Sequence, residues 1–125
     1  MDTLKIESLN RELKELETRR GITGSAIVSR NGLLITSRLP RDIDQRKIGA
    51  IAATMFGAIE TASTALGNNE KIYCLTIELE DYQLIVLNAN NDIIFALLID
   101  LNVNLGLIFI ELEETLKKIR NIVER

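Results

Sequence analysis

Few side chains in this sequence could carry chemistry, and their spacing does not combine them. The chain has no His, which removes the commonest general base and the commonest metal ligand. Ser25, Ser29 and Ser37 therefore have no imidazole to activate their hydroxyls. Cys74 is the only cysteine; it cannot form an internal disulfide or a Cys/His metal cluster, and on a strand it reads as a small apolar group. Asp42 and Asp44 are close in sequence but fall where a helix begins, and carboxylates there stabilise the helix dipole. Gly21 and Gly24, in GITG, read as the end of a helix and the opening of a strand. No GxxxxGK[ST] segment is present to cradle a phosphate. The sequence thus predicts no catalytic residue, no metal and no cofactor of its own.

One charge pattern stands apart. Arg38, Arg41, Arg46 and Lys47 gather around the connection into a long helix. Arg46 and Lys47 fall in its first turn, where positive charge opposes the helix dipole by about 0.3–1 kcal/mol each. Basic residues so placed could meet an acidic partner or an anion, and an arginine finger acting on a partner's phosphoryl transfer is conceivable. Scattered solvated charge is the simpler account.

The long helix is the element around which the chain is organised. Residues 44–67, DQRKIGAIAATMFGAIETASTALG, start at Asp44 as N-cap and stop at Gly67. The spacing of Ile48, Ile51, Met55, Ile59, Ala62 and Leu66 predicts a core stripe. The opposite face predicts something else. It carries Gly49, Ala50, Ala53, Thr54, Gly57, Thr61 and Thr64 where a surface helix shows Lys and Glu, and Glu60 is the only charge between Ile48 and Gly67. Each interior Gly costs about 1 kcal/mol of helix stability relative to Ala, a cost that makes sense if a second backbone comes close. A symmetric copy of the same helix is the simplest such partner.

The remaining elements frame that helix. Residues 1–20 form an amphipathic helix with Ile6, Leu9, Leu13 and Leu16 inward, Glu7–Arg11 and Glu15–Arg19 as surface pairs, and Gly21 as its stop. Residues 24–39 form a hairpin about Asn31-Gly32, ended by Pro40. After a turn at Asn68-Asn69-Glu70 come three strands, 71–80, 82–89 and 93–99. The first alternates, with Tyr73, Leu75, Ile77 and Leu79 on one face, and reads as an edge strand. Asp100, Asn102 and Asn104 then open a final helix with Leu105, Ile108, Leu112, Leu116, Ile119 and Val123 inward and Glu113, Glu114, Lys117, Lys118 and Arg120 in water. Short turns make the sheet antiparallel, and strands apolar on both faces need helices on both. The expected fold is α+β, an α/β/α three-layer sandwich with the long helix on one face and the two terminal helices on the other.

Bulk properties exclude several classes. The 125 residues suit one domain, 1–125, and the net charge of −3 with few aromatics argues against nucleic-acid binding. A single Cys fits a reducing, cytoplasmic compartment. Residues 93–110 have the length of a membrane span, but Asp100, Asn102 and Asn104 fall at its centre, so no membrane insertion is expected.

Five segments together resemble the roadblock family, the dynein light chain roadblock group within the roadblock/longin superfamily. They are the N-terminal amphipathic helix, the hairpin GITGSAIVSRNGLLITS, the helix IGAIAATMFGAIETASTALG, the strands KIYCLTIEL, YQLIVLN and IIFALLI, and the helix start NLGLIFIELEETL. The resemblance implies a five-stranded antiparallel sheet in the order 2-1-5-4-3. It also implies a homodimer through the middle helix and third strand, which puts Gly49, Ala50, Ala53, Thr54, Gly57, Thr61, Thr64, Tyr73 and Leu75 at the interface. The preceding helix is similar to that of stand-alone prokaryotic members. For function it implies a non-catalytic regulator or scaffold of a small Ras-like GTPase, able to stimulate that partner, with Arg38, Arg41, Arg46 and Lys47 as possible contacts. The alternative is a dynein-light-chain-like assembly or adaptor module without effect on GTP hydrolysis. A small-molecule-sensing domain finds little support, since only Thr76 and Asn88 are polar within the apolar strands.

Overall fold

The computed structural model describes residues 1–67 and 71–125; the expected turn at Asn68-Asn69-Glu70 lies outside them. The elements run α1 (Thr3–Glu17), β1 (Ile22–Ser29), β2 (Leu34–Arg38), α2 (Gln45–Ala65), β3 (Cys74–Glu78), β4 (Tyr82–Asn88), β5 (Ile93–Asp100) and α3 (Leu105–Val123). The five strands form one sheet in the order β2-β1-β5-β4-β3, every neighbouring pair antiparallel. The α/β/α architecture and the strand order are those expected. The apolar stretch at 93–110 is resolved into strand β5, a turn and the start of α3.

Alternation along the strands sorts side chains into two cores. Ile22, Ile27, Ile85, Leu87, Phe95, Leu97 and Ile99 face α1 and α3, meeting Leu9, Leu13, Leu16, Ile108, Leu112, Leu116 and Ile119. On the other face Leu84, Val86, Ile94, Ala96 and Leu98 meet Ala52 and Phe56 of α2, with Ala26 and Val28 against Ile48. Each helix is started by a side-chain cap: Asp2 accepts from the Lys5 amide, Asp44 from those of Arg46 and Lys47, and Asn104 from that of Leu107. Gly67, with φ +85°, follows the last turn of α2.

Two local expectations are corrected. The β1–β2 connection is a three-residue loop, not a two-residue one. The Gly32 amide donates to the Ser29 carbonyl, the Ser29 amide donates to the Leu33 carbonyl, and Gly32 alone takes a positive φ, +92°. That is a type I turn closed by a left-handed glycine. The surface pairs expected along α1 are absent among the described residues; the ion pairs there are Arg38–Glu17 and Arg30–Glu60.

The larger correction concerns the rotation of α2. Ile48, Gly49, Ala52 and Phe56 are its buried residues, about one position away from the expected stripe. Ile51, Ile59, Ala62 and Leu66 point outward instead. Gly49 and Ala53, expected on the outer face, turn toward the sheet. A Cβ on Gly49 would lie 3.1 Å from the Gly32 carbonyl oxygen and 3.5 Å from Val28 Cγ1. The backbone that approaches these small residues is therefore that of the chain's own hairpin. Large Ile side chains at this contact would hold the helix off the sheet, so the helix buries its small positions here and fills the wider gap beyond with Phe56. A Gly49→Val substitution should overpack this contact and destabilise the fold by about 1–3 kcal/mol, measured as a lower urea midpoint with unchanged slope.

Candidate functional site

The rotation of α2 leaves an apolar face uncovered. Ile51 is 45% exposed, Ile59 41% and Leu66 88%. Around them lie Ala50, Thr54, Gly57, Ala58, Thr61 and Thr64, all exposed. Thr61 Oγ1 donates to the Gly57 carbonyl at 3.0 Å and Thr64 Oγ1 to the Glu60 carbonyl at 3.1 Å. Both hydroxyls are thus satisfied by the helix itself. No heavy atom lies within 4 Å of the position a Gly57 Cβ would take, so the groove at that glycine is open. By length and composition α2 could even cross a bilayer, yet in this fold most of it faces outward.

Beside this helix the sheet ends in a free edge. β3 pairs with β4 and with no other strand among the described residues, and its outer backbone groups remain open to a further strand. Leu75 and Ile77 are half-buried and belong to the same cluster as Ala53, Met55, Leu84 and Val86. They form a shelf alongside α2. The strand is shorter than expected, and Tyr73 does not share this shelf. Tyr73 precedes β3 and turns to the opposite layer, where its hydroxyl lies 3.4 Å from Glu113 of α3. Burial, with the Glu113 carboxylate beside it, pushes the Tyr73 phenol above its ordinary range. Cys74 also faces the α1–α3 layer, and burial pushes its thiol up, away from the thiolate that reactivity needs.

The basic group is divided by the fold. Arg38 Nε donates to Glu17 Oε2 at 2.6 Å. That hydrogen bond holds the Glu17 carboxyl below its ordinary range. Arg41, Arg46 and Lys47 remain exposed, and their side chains have no hydrogen-bond partner among the described residues. Ser25 is buried, Ser29 Oγ donates to Asn31 Oδ1, and Ser37 Oγ donates to Gln45 Oε1 at 2.7 Å. Asp44 serves as the α2 cap. Ser37 and Arg38 line one shallow depression with Glu17 and Gln45, where both are already engaged in hydrogen bonds.

A polar network not foreseen in the sequence holds α2 in place. Arg30, at the β1–β2 turn, lays its guanidinium over the Phe56 ring, 4.9 Å from the centroid. Its Nη1 donates to Glu60 Oε1 at 2.6 Å and its Nη2 to Asn88 Oδ1 at 2.7 Å. From the other layer, Arg120 donates Nε to the Ala89 carbonyl at 2.6 Å and Nη2 to the Asn88 carbonyl at 3.2 Å. Arg120 was expected in water; it is half-buried and tied to the β4–β5 turn. The signals were present as oddities: one carboxylate in the otherwise uncharged run from Ile48 to Gly67 and one Asn in an apolar strand. Nothing in their spacing paired them.

The chain matches the Roadblock/LC7 domain over residues 9–99. It is 36% identical over 112 residues to the Methanocaldococcus jannaschii protein MJ1340, covering 90% of this chain and 96% of the relative. Its fold is similar to that of Myxococcus xanthus MglB, with a TM-score of 0.90 at 18% identity, over 99% of this chain and 93% of that one. A Roadblock/LC7 domain from Streptomyces avermitilis superposes with a TM-score of 0.85 at 17% identity, over 92% and 97% of the two chains. Replacing Arg30 with Met should cost about 1.5–3 kcal/mol through the lost charged hydrogen bonds, read from chemical denaturation, while Lys at this position should recover only part because it cannot reach Glu60 and Asn88 as a fork.

Proposed function

The chain belongs to the Roadblock/LC7 domain family, and we propose that it is a homodimeric regulator or scaffold of a small Ras-like GTPase, with no active site of its own. The observation that carries this reading is the uncovered apolar face of α2 beside the open edge of β3. A second copy turned about a twofold axis would cover the face with its own α2 and pair β3 with β3. Burying what remains exposed of Ile51, Ile59 and Leu66 favours such a dimer by roughly 1–2 kcal/mol each. The interface in this reading is centred on Ala50, Ile51, Thr54, Gly57, Ile59 and Thr61, with Leu75 on the shelf.

The GTPase part of the reading rests on the family resemblance. Its support on the surface is the set of exposed cations at the start of α2, Arg41, Arg46 and Lys47, which suit an acidic partner surface. Arg38 is engaged by Glu17 and is not assigned to that contact.

Two measurements test this. Sedimentation should show a dimer, and Gly57→Arg should convert it to monomer, because a long charged side chain cannot be accommodated in a close seam; a variant still dimeric removes the proposed interface. GTP turnover by the small Ras-like GTPases of the same organism should change when the protein is added. Binding in one nucleotide state without a change in turnover selects the adaptor role, and no binding in either state overturns the GTPase reading.

A further inference from the structure

On the face of the molecule opposite α2, the start of α3 is apolar all round. Residues 105–110, LGLIFI, contain no charge, whereas the exposed positions that follow, Glu113, Glu114, Lys117 and Lys118, are charged. Ile108 is buried as expected, but Leu107 is 64% exposed and Ile110 65%. A helix segment apolar on every side is normally covered on every side. These two residues share a stripe with Glu111, Glu114 and Lys118, at helical spacing, and the stripe borders the seam with α1. The two helices run antiparallel, since Lys5 Nζ donates to the Val123 carbonyl at the other end of the pair.

Across the seam from Ile110 stand Glu12, Glu15 and Leu16 of α1 and Arg19 just beyond its end, enclosing a groove of about 270 Å³. The groove runs at Glu111 into a wider cavity of about 740 Å³, floored by Leu101, Val103, Leu107 and Ile108 and edged by Asp81, Asp100 and Arg20. Six carboxylates thus border the depression against three cations, Arg19, Arg20 and Lys118. None of the six is in an ion pair among the described residues.

We propose that this α1–α3 groove docks a cationic amphipathic helix of a partner protein, with Leu107 and Ile110 meeting its apolar face and the carboxylate rim meeting its Lys and Arg. Helix-in-groove recognition uses this combination of an apolar floor and a charged rim. Two other occupants fit less well. An anionic lipid surface would be repelled by the rim. A second copy presenting the same face would set carboxylates against carboxylates. The site is independent of the α2 face and of the GTPase reading.

The test uses the full chain and a fluorescein-labelled Leu/Lys amphipathic peptide of about five helical turns, followed by anisotropy at low salt. Saturable binding is expected. It should weaken about tenfold or more in a Leu107→Ser, Ile110→Ser double variant and in a Glu111→Gln, Glu114→Gln double variant, and it should weaken with added salt. A Leu33→Ser variant, which alters an exposed apolar side chain elsewhere, should bind as the parent does, and a Leu/Glu peptide should not bind. Thermal melts should match the parent, since both pairs lie on the surface. The proposal is overturned by absence of saturable binding, by equal weakening in Leu33→Ser, or by sedimentation showing that the Leu107→Ser, Ile110→Ser variant loses an assembly of identical chains.

Discussion

The contact between the α2 backbone at Gly49 and the hairpin carbonyl of Gly32 sets the rest of the molecule. At 3.1 Å from where a side chain would begin, it admits no other residue without a shift. The helix must therefore present its small positions to the sheet, and its phase follows. Once Gly49 and Ala52 face inward, Ile51 faces outward, 100° from Ala52 around the helix, while Ile59, about 20° from Ala52 in phase, is exposed further along the helix. The inner contact fixes which positions face outward, not their chemistry. Nothing about that contact forbids Lys or Glu at positions 50, 54, 58 or 61.

The second constraint is that both faces of the sheet are buried. β1, β4 and β5 are apolar on each side, so two helical layers are needed, and the layers must be kept in register with one another through the sheet. Asn88 provides that link. Its side chain accepts from Arg30, which holds α2 through Glu60 and Phe56, and its carbonyl accepts from Arg120 of α3. Its amide donates to the Tyr73 carbonyl, bringing in the chain just before β3. Planar, forked guanidinium groups are suited to this task because they hold several partners at fixed angles. One residue at the end of β4 is thereby tied to both helix layers and to the approach to the edge strand.

Most of the architecture was legible in the sequence because it depends on periodicity and caps. The element order, the layers and the starts of α2 and α3 followed from patterns of two and 3.6 and from Asp44 and Asn104, while the Asp2 cap of α1 was not read. The rotation of α2 was not legible. Ile outranks Ala and Gly as a core residue when a helix is read alone, and only the neighbouring turn at Gly32 decides that the small residues go in. Tyr73 escaped for a related reason: alternation places it with Leu75, but it precedes the strand proper and is free to turn to Glu113. The Arg30–Glu60–Asn88 set joins three segments distant in the chain, and no local pattern announces such a meeting. Of the residues expected on the outer face, Ala50, Thr54, Gly57, Thr61 and Thr64 lie there, while Gly49 and Ala53 do not.

The strand order also governs when this chain can become native. β1 forms its longest pairing with β5, Ile22 opposite Ile99 and Ser29 opposite Ile93, so the centre of the sheet joins the two ends of the sequence. A nascent chain therefore carries its first hairpin and the whole of α2 out of the ribosome before the strand that completes their core has been made. Such high contact order slows closure, and during the wait α2, whose only charge after Lys47 is Glu60, has no sheet to shelter it. The same small, uncharged side chains that leave this surface open in the folded chain expose the growing polypeptide to aggregation until the sheet closes.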